Sequence, residues 1–194
     1  MKKIGITGSL ASGKTTVSKI LSFKKGPLFD ADHVVKKLYL LKSFKKLISK
    51  RLNINNSLNI KKEITALILK DKSKIKKLEK IIHPFVRKEM YNFIKKNKKR
   101  NILFFEIPLL IESKLMKNFD VIFFVRAKKN IRMKRFIMKG GNKKLFQILN
   151  SKQLVDKKKV KHCDYVITNE NNFNVLKKKL SSILKRHERS IFGH

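Results

Sequence analysis

The chain carries one cysteine, Cys163, among its 194 residues, which excludes an internal disulfide and any thiolate-built metal site. Tryptophan is absent and 14 residues are phenylalanine, so a core has to be assembled from Phe, Ile and Leu. The three prolines and seven glycines are scattered, and no stretch reads as a linker or an internal repeat. Long apolar runs are also missing. The longest, Ile102 to Ile111, is interrupted by Glu106 and Pro108 and is too short to cross a bilayer. Met1-Lys2-Lys3 has the look of a signal-peptide start, but the apolar stretch behind it ends at Gly8. A cytoplasmic location without a membrane partner is therefore expected. A chain of this length, 42% hydrophobic, suits one domain with room for an embedded subdomain.

Acidic residues are scarce, 13 against 50 Lys and Arg, which leaves a formal charge of +37. Such a balance invites a nucleic-acid partner. The lysines, however, spread along almost the whole chain and accompany many Ile, Asn and Phe, all with AT-rich codons. Drift in base composition accounts for that pattern. There is no aromatic RNA-binding stripe, no zinc-finger spacing and no basic region feeding heptads. The expectation is no specific nucleic-acid partner. What remains is non-specific attraction at low salt, and a surface that helps bind a polyanionic substrate.

What is present is concentrated at Gly8 to Thr15, which read Gly-Ser-Leu-Ala-Ser-Gly-Lys-Thr. The spacing G-x-x-x-x-G-K-[ST] is that of a phosphate-binding P-loop. A short apolar strand, Lys3 to Thr7, enters it, and a helix-forming run from Thr15 to Leu21 leaves it. Successive backbone N–H groups in such a loop form an anion nest, and the helix start adds its own N–H groups and dipole. Gly8, Ala11, Ser12, Gly13, Lys14, Thr15 and Thr16 are the expected nucleotide-binding residues. Lys14 reaches the terminal phosphates and the Thr15 hydroxyl is suited to Mg²⁺. Ser9 and Ala11 stand where glycine would bend the loop more easily. The bland alternative is an ordinary glycine-rich turn between a strand and a helix.

Further strands are expected at Pro27 to Phe29, Asn101 to Phe105, Val121 to Val125 and Tyr165 to Thr168. They are apolar on both faces and separated by helical patterns, which predicts a five-stranded parallel sheet covered by helices. Residues 33 to 100 read as mostly helical. One apolar face is expected from Val34, Val35, Leu38, Tyr39 and Leu41, and others from Ile64, Leu67, Ile68 and from Ile75, Leu78, Ile81, Ile82. His83-Pro84 is expected to break the pattern, with a new helix from there to about Lys95. A C-terminal helix is expected from Phe173 to about His187.

A P-loop marks phosphate binding without naming the reaction. No N-K-x-D guanine signature is visible and the chain is small for a motor, so a metabolite kinase with a lid is the better reading. Asp30 and Asp32 close a strand at the end where parallel sheets place their sites. Alternation puts both on one side, and Asp32 is the candidate to orient a hydroxyl and accept its proton. One of the pair could instead cap the helix expected near His33. Glu106 ends another buried strand and suits the Mg²⁺ shell, or else caps a helix ahead of Pro108. Arg87 could grip a substrate phosphate. His83, one turn before it, suits catalysis and packing equally. Arg132, Arg135 and Lys139 precede Gly140-Gly141 at helical spacing and are candidates to clamp ATP phosphates on closure.

Taken together, these pieces resemble the dephospho-CoA kinase family. The matching residues are Ile4 to Thr16, Asp30-Ala31-Asp32, His83-Pro84-Phe85-Val86-Arg87, Ile107-Pro108-Leu109-Leu110-Ile111-Glu112 and Cys163 to Asn169. They lie in family order and cover nearly the whole chain. Glu106 stands where the family usually has aspartate, and the lid reads Met138-Lys139-Gly140-Gly141 with Gln153 retained from the family's pattern.

The resemblance implies a P-loop kinase that uses ATP and Mg²⁺ to phosphorylate the ribose 3′-hydroxyl of dephospho-CoA. It implies catalysis by Asp32 and Lys14. ATP would be held by the loop with Arg135 and Lys139, substrate by Asp30, His83, Arg87 and Glu106, and metal by Thr15 and Glu106. The expected layout is a core of residues 1–32, 101–128 and 159–194, a helical CoA-binding insertion of 33–100 and a lid of 129–158. Dephospho-CoA and ATP are the expected partners, with the chain a monomer or weak homo-oligomer. Two alternatives stay open: another small-metabolite kinase, and a nucleic-acid-binding ATPase.

Overall fold

The computed structural model describes residues 1–55 and 59–192. Residues 56–58, inside the expected helical insertion, lie outside the described part. The chain divides into two compact units, Met1–Asp30 with Lys96–His194, and Ala31–Lys95.

The first unit is built on strands β1 (Lys2–Gly8), β2 (Leu28–Asp30), β3 (Ile102–Glu106), β4 (Val121–Arg126) and β5 (Tyr165–Thr168). They form one sheet in the order β2-β3-β1-β4-β5, and every pairing is parallel. Neighbouring residues of a strand point to opposite faces. In β3 the residues from Ile102 to Glu106 are all buried, and so are Val121 to Val125 of β4. Both faces are therefore covered, as the unbroken apolar runs require.

On one face Ile4, Ile6, Phe104, Phe123 and Val125 pack with Val17 and Leu21 of helix α1 (Lys14–Ser22). The expected C-terminal helix is observed as Phe173–Arg186 and adds Leu176 and Leu180 to the same cluster. A short helix absent from the sequence expectation, Glu188–Phe192, follows it and buries Ile191 and Phe192 there. On the opposite face Phe105 meets Phe119 edge-on at 5.3 Å.

Three more helices of this unit lie between β4 and β5: Lys129–Met138, Lys143–Lys152 and Asp156–Val160. In chain order they are α6, α7 and α8, and the two C-terminal helices are α9 and α10.

The second unit holds α2 (Ala31–Leu38), α3 (Lys42–Leu52), α4 (Ile60–Lys70) and most of α5 (Lys74–Lys96). Ile64 and Ile68 are buried as the spacing requires, as are Leu38 and Tyr39. Leu41 departs from the expected face. It is exposed, because the chain turns after Leu38 and Leu41 becomes the N-cap of α3.

The break expected at His83-Pro84 is also absent. Pro84 sits inside one continuous α5. Proline removes one hydrogen bond and crowds the preceding turn, at a cost of about 3 kcal/mol. The helix carries packed side chains on both sides of the proline. Phe85 meets Phe44 edge-on at 5.2 Å, and Phe44 meets Tyr39 at 5.6 Å. Ile75 is buried on the same helix. Among the described residues no helix is long and apolar enough to cross a membrane.

Candidate active site

Strand register brings the chemistry to one end of the sheet. Ile6 is level with Glu106, Asp30 with Glu106, and Gly8 with Val125. The chain leaves β1 toward the β2 edge and leaves β4 toward the β5 edge, which opens a crevice at their carboxyl ends. The Gly8 to Thr15 loop occupies this place.

Its two required glycines have different reasons. At Gly8 a Cβ would stand 2.2 Å from the carbonyl oxygen of Val125, so β1 could not lie this close to β4. Gly13 is in the left-handed region at φ 92°, and a Cβ there would meet the Asn169 amide at 2.1 Å. Ala11 adopts φ 58°, a conformation that costs a non-glycine residue about 1–2 kcal/mol. This is the conformation the sequence marks as easier for glycine. Gly13 is also the N-cap of α1 and has no side chain with which to cap that helix, and the loop turns on itself through the Ser12 N–H to Ser9 carbonyl bond.

Lys14 is buried, and its ammonium donates to the carbonyls of Gly8 and Ser9 at 3.3 and 3.1 Å. Among the described residues the buried Ser12 hydroxyl has no hydrogen-bond partner. A buried donor left unmade is costly, and an anion seated in the loop would satisfy it.

Glu106, 1% exposed, anchors the other side. Its Oε1 accepts from Thr15 Oγ1 and its Oε2 from Ser18 Oγ, both at 2.7 Å. Burial pushes the Glu106 carboxyl above the usual range. The Ser18 and Thr15 hydrogen bonds oppose that shift, Asp30 adds to it and Lys14 opposes it. The hydroxyl of Thr15 and the carboxylate of Glu106 are hard oxygen donors already in contact, a set that fits Mg²⁺. Among the described residues no group of three or more His, Cys, Asp or Glu side chains gathers as a metal cluster, so any ion here would draw further ligands from substrate and water.

Two arginines of α6 hold the loop from outside. Arg132 donates to the Leu10 carbonyl at 3.2 Å, to Asn150 at 2.8 Å and to the Ala127 carbonyl at 3.0 Å. Arg135 donates to the carbonyls of Ser12 and Asn169 at 3.4 and 3.0 Å. Lys139 is exposed at the C-cap of α6, and among the described residues no side-chain contact joins it to the loop.

Asp32 differs from its expected placement. The strand ends at Asp30 and α2 starts at Ala31, not near His33, so Asp32 is an exposed residue in a first helical turn. Strand alternation does not relate it to Asp30, because the backbone has already turned into the helix. Asp32, His83 and Arg87 belong to the second unit. His83 and Arg87 lie one turn apart on α5, and burial lowers the His83 pKa, with Glu79 opposing and Arg87 assisting.

Several loop contacts are not evident from sequence spacing. Asn169 donates to the Ser12 carbonyl at 2.9 Å, and Gln153 accepts from the Leu10 N–H at 2.9 Å. Asp156 accepts from the Ser9 hydroxyl. Asn169 closes a sequence motif and Ser18 sits one turn after Thr15, so both had a signal. Nothing in the local sequence marks Asp156.

The sequence pattern of dephospho-CoA kinases matches residues 2–174. The chain belongs to the dephospho-CoA kinase family. A dephospho-CoA kinase of Fusobacterium nucleatum is 34% identical over 183 residues, 91% of this chain and 94% of that protein. One from Bartonella quintana is 31% identical over 190 residues, 95% of this chain and 97% of that one. The solved structure of a dephospho-CoA kinase from Campylobacter jejuni shares the fold, with a TM-score of 0.63 at 22% identity, covering 96% of this chain and 97% of that one. In this dephospho-CoA kinase family member, a kinase by descent, the P-loop stands at the head of the central strand.

Proposed function

We propose that the chain transfers the γ-phosphoryl group of ATP to the ribose 3′-hydroxyl of dephospho-CoA, releasing CoA and ADP. The observation that carries this reading is the contact of Glu106 with Thr15 and Ser18 beside the Lys14 loop, in a member of this family.

In this reading the loop from Gly8 to Thr16 cradles the ATP phosphates. Backbone N–H groups and the start of α1 supply directed donors, and Lys14 swings from the loop carbonyls onto the terminal phosphates. Arg135, already beside the Ser12 carbonyl, adds a second cation, and Lys139 a third when the segment 129–158 closes. Thr15 and Glu106 would hold Mg²⁺, which when bound neutralises phosphate charge. Asp32 orients the 3′-hydroxyl and takes its proton as the new oxygen–phosphorus bond forms and the bond to ADP breaks. Its support is its place two residues after the strand end. Asp30, His83, Arg87 and Glu106 are the residues assigned to binding dephospho-CoA, with its CoA portion assigned to the helical unit.

The test is direct. Purified protein is given ATP, Mg²⁺ and dephospho-CoA, with CoA read by chromatography, beside a panel of nucleosides, nucleotides and sugars. CoA formation restricted to dephospho-CoA, lost in Lys14→Ala, is the expected result. Transfer to another acceptor in the panel would overturn it.

A further inference from the structure

Glu112 and Lys159 have no part in the roles assigned above. Lys159, in α8, is 0% exposed, and its Nζ lies 2.6 Å from Oε1 of Glu112. The same oxygen accepts the backbone N–H of Leu154 at 3.2 Å. Among the described residues Glu112 Oε2 is buried without a hydrogen bond, and Lys159 Nζ has none beyond the ion-pair contact. The Lys159 charge is thus withdrawn from water and that of Glu112, with its side chain 16% exposed, largely so, with part of their hydrogen-bonding capacity unmet. For stability alone, an apolar pair of similar volume often does as well or better.

The segment these contacts fix explains the arrangement. Gln153 precedes Leu154 and accepts the Leu10 N–H. Asp156, one turn before Lys159, accepts the Ser9 hydroxyl. Arg132 holds the Leu10 carbonyl and is itself tied to Asn150 on α7. Ser9 and Leu10, at the tip of the P-loop, are therefore held by residues of 150–156 and α6. That stretch is fastened at Leu154 and Lys159, both times to Glu112, on the connection that follows Glu106 and β3.

We propose that the Glu112–Lys159 ion pair positions the phosphate loop. It sets the placement of α8, so that Gln153 and Asp156 hold Ser9 and Leu10 in the curvature ATP requires. An apolar pair would fill the same space without defining that placement, since dispersion contacts are not directional. Both are positioning residues that act through Gln153 and Asp156. The inference rests on the reading of the loop as an ATP site.

The experiment compares the whole wild-type chain with Lys159→Met and with Glu112→Gln/Lys159→Met, which leaves no unpaired charge. The expected result is a KM for ATP raised about tenfold or more, with the KM for dephospho-CoA within about twofold of wild type. Hydrogen exchange at the Leu10 amide should accelerate alongside. A folded variant with wild-type KM for ATP and wild-type exchange at Leu10 would overturn the proposal. Wild-type exchange is the second measurement, independent of how the variants fold. Leu10 and Leu154 amides should open together with equal protection, and separate opening overturns the coupling. A wild-type protein that makes no CoA defeats the kinase reading, while the exchange comparison still tests the ion pair.

Discussion

Thr15 Oγ1 donates to Glu106 Oε1 across 2.7 Å, joining the first turn of α1 to the last residue of β3. The same carboxylate accepts from Ser18 through its other oxygen, so one buried acid ties two hydroxyls of one helix face. Glu106→Gln keeps the shape but removes the charge. It should raise the Mg²⁺ concentration needed for half-maximal activity by about 10- to 100-fold. A metal titration of initial rates checks this. An unchanged requirement would remove Glu106 from the metal site.

Asp32→Asn should retain ATP binding and lose most turnover, by about a hundredfold or more, because the amide cannot accept the hydroxyl proton. Asp30→Asn should have the smaller effect on kcat. Steady-state kinetics of the two variants decides between them. If Asp30→Asn is the more damaging, the roles are reversed.

His83 offers a pH test. Burial lowers its pKa in the folded protein, so the unfolded chain binds a proton more readily. Stability is therefore unaffected above the usual histidine value of about 6.5 and declines as pH falls below it, levelling under the folded pKa. His83→Gln should remove that part of the decline. Urea melts of both proteins at about pH 7.5 and about pH 5.5 measure the difference. Parallel losses would show that other groups carry the acid sensitivity.

If the charge of +37 reflects base-composition drift, RNA and DNA should bind weakly, without sequence preference, and with a steep loss as salt rises. CoA formation should not respond to RNA near physiological salt. Titration of a short RNA and a short DNA at low and physiological salt, with ATPase followed in parallel, tests this. A complex that survives physiological salt and stimulates ATPase would restore a nucleic-acid role.

Much of the core was legible because it depends on short-range pattern. The five strands follow from short runs of three to five residues, and the loop from eight consecutive positions. At Pro84 local proline chemistry predicts a break, while Phe85 reaching Phe44 is a contact no local window contains. Strand alternation puts Asp30 and Asp32 on one side only if the strand runs two residues further than it does, and those two residues belong to α2.

Local spacing by itself determined the apolar strands, the phosphate loop that follows β1 and the acid closing β3. Each is encoded within one hydrogen-bonded element or turn. Tertiary structure alone decided which charges leave water and what they meet. Lys159 is one of fifty basic residues and reads like its exposed neighbours, yet it is enclosed against Glu112. Asp156 finds Ser9 across 147 positions of chain. Desolvation and pairing depend on which surfaces the packed elements bring together, and that information is not local to any residue.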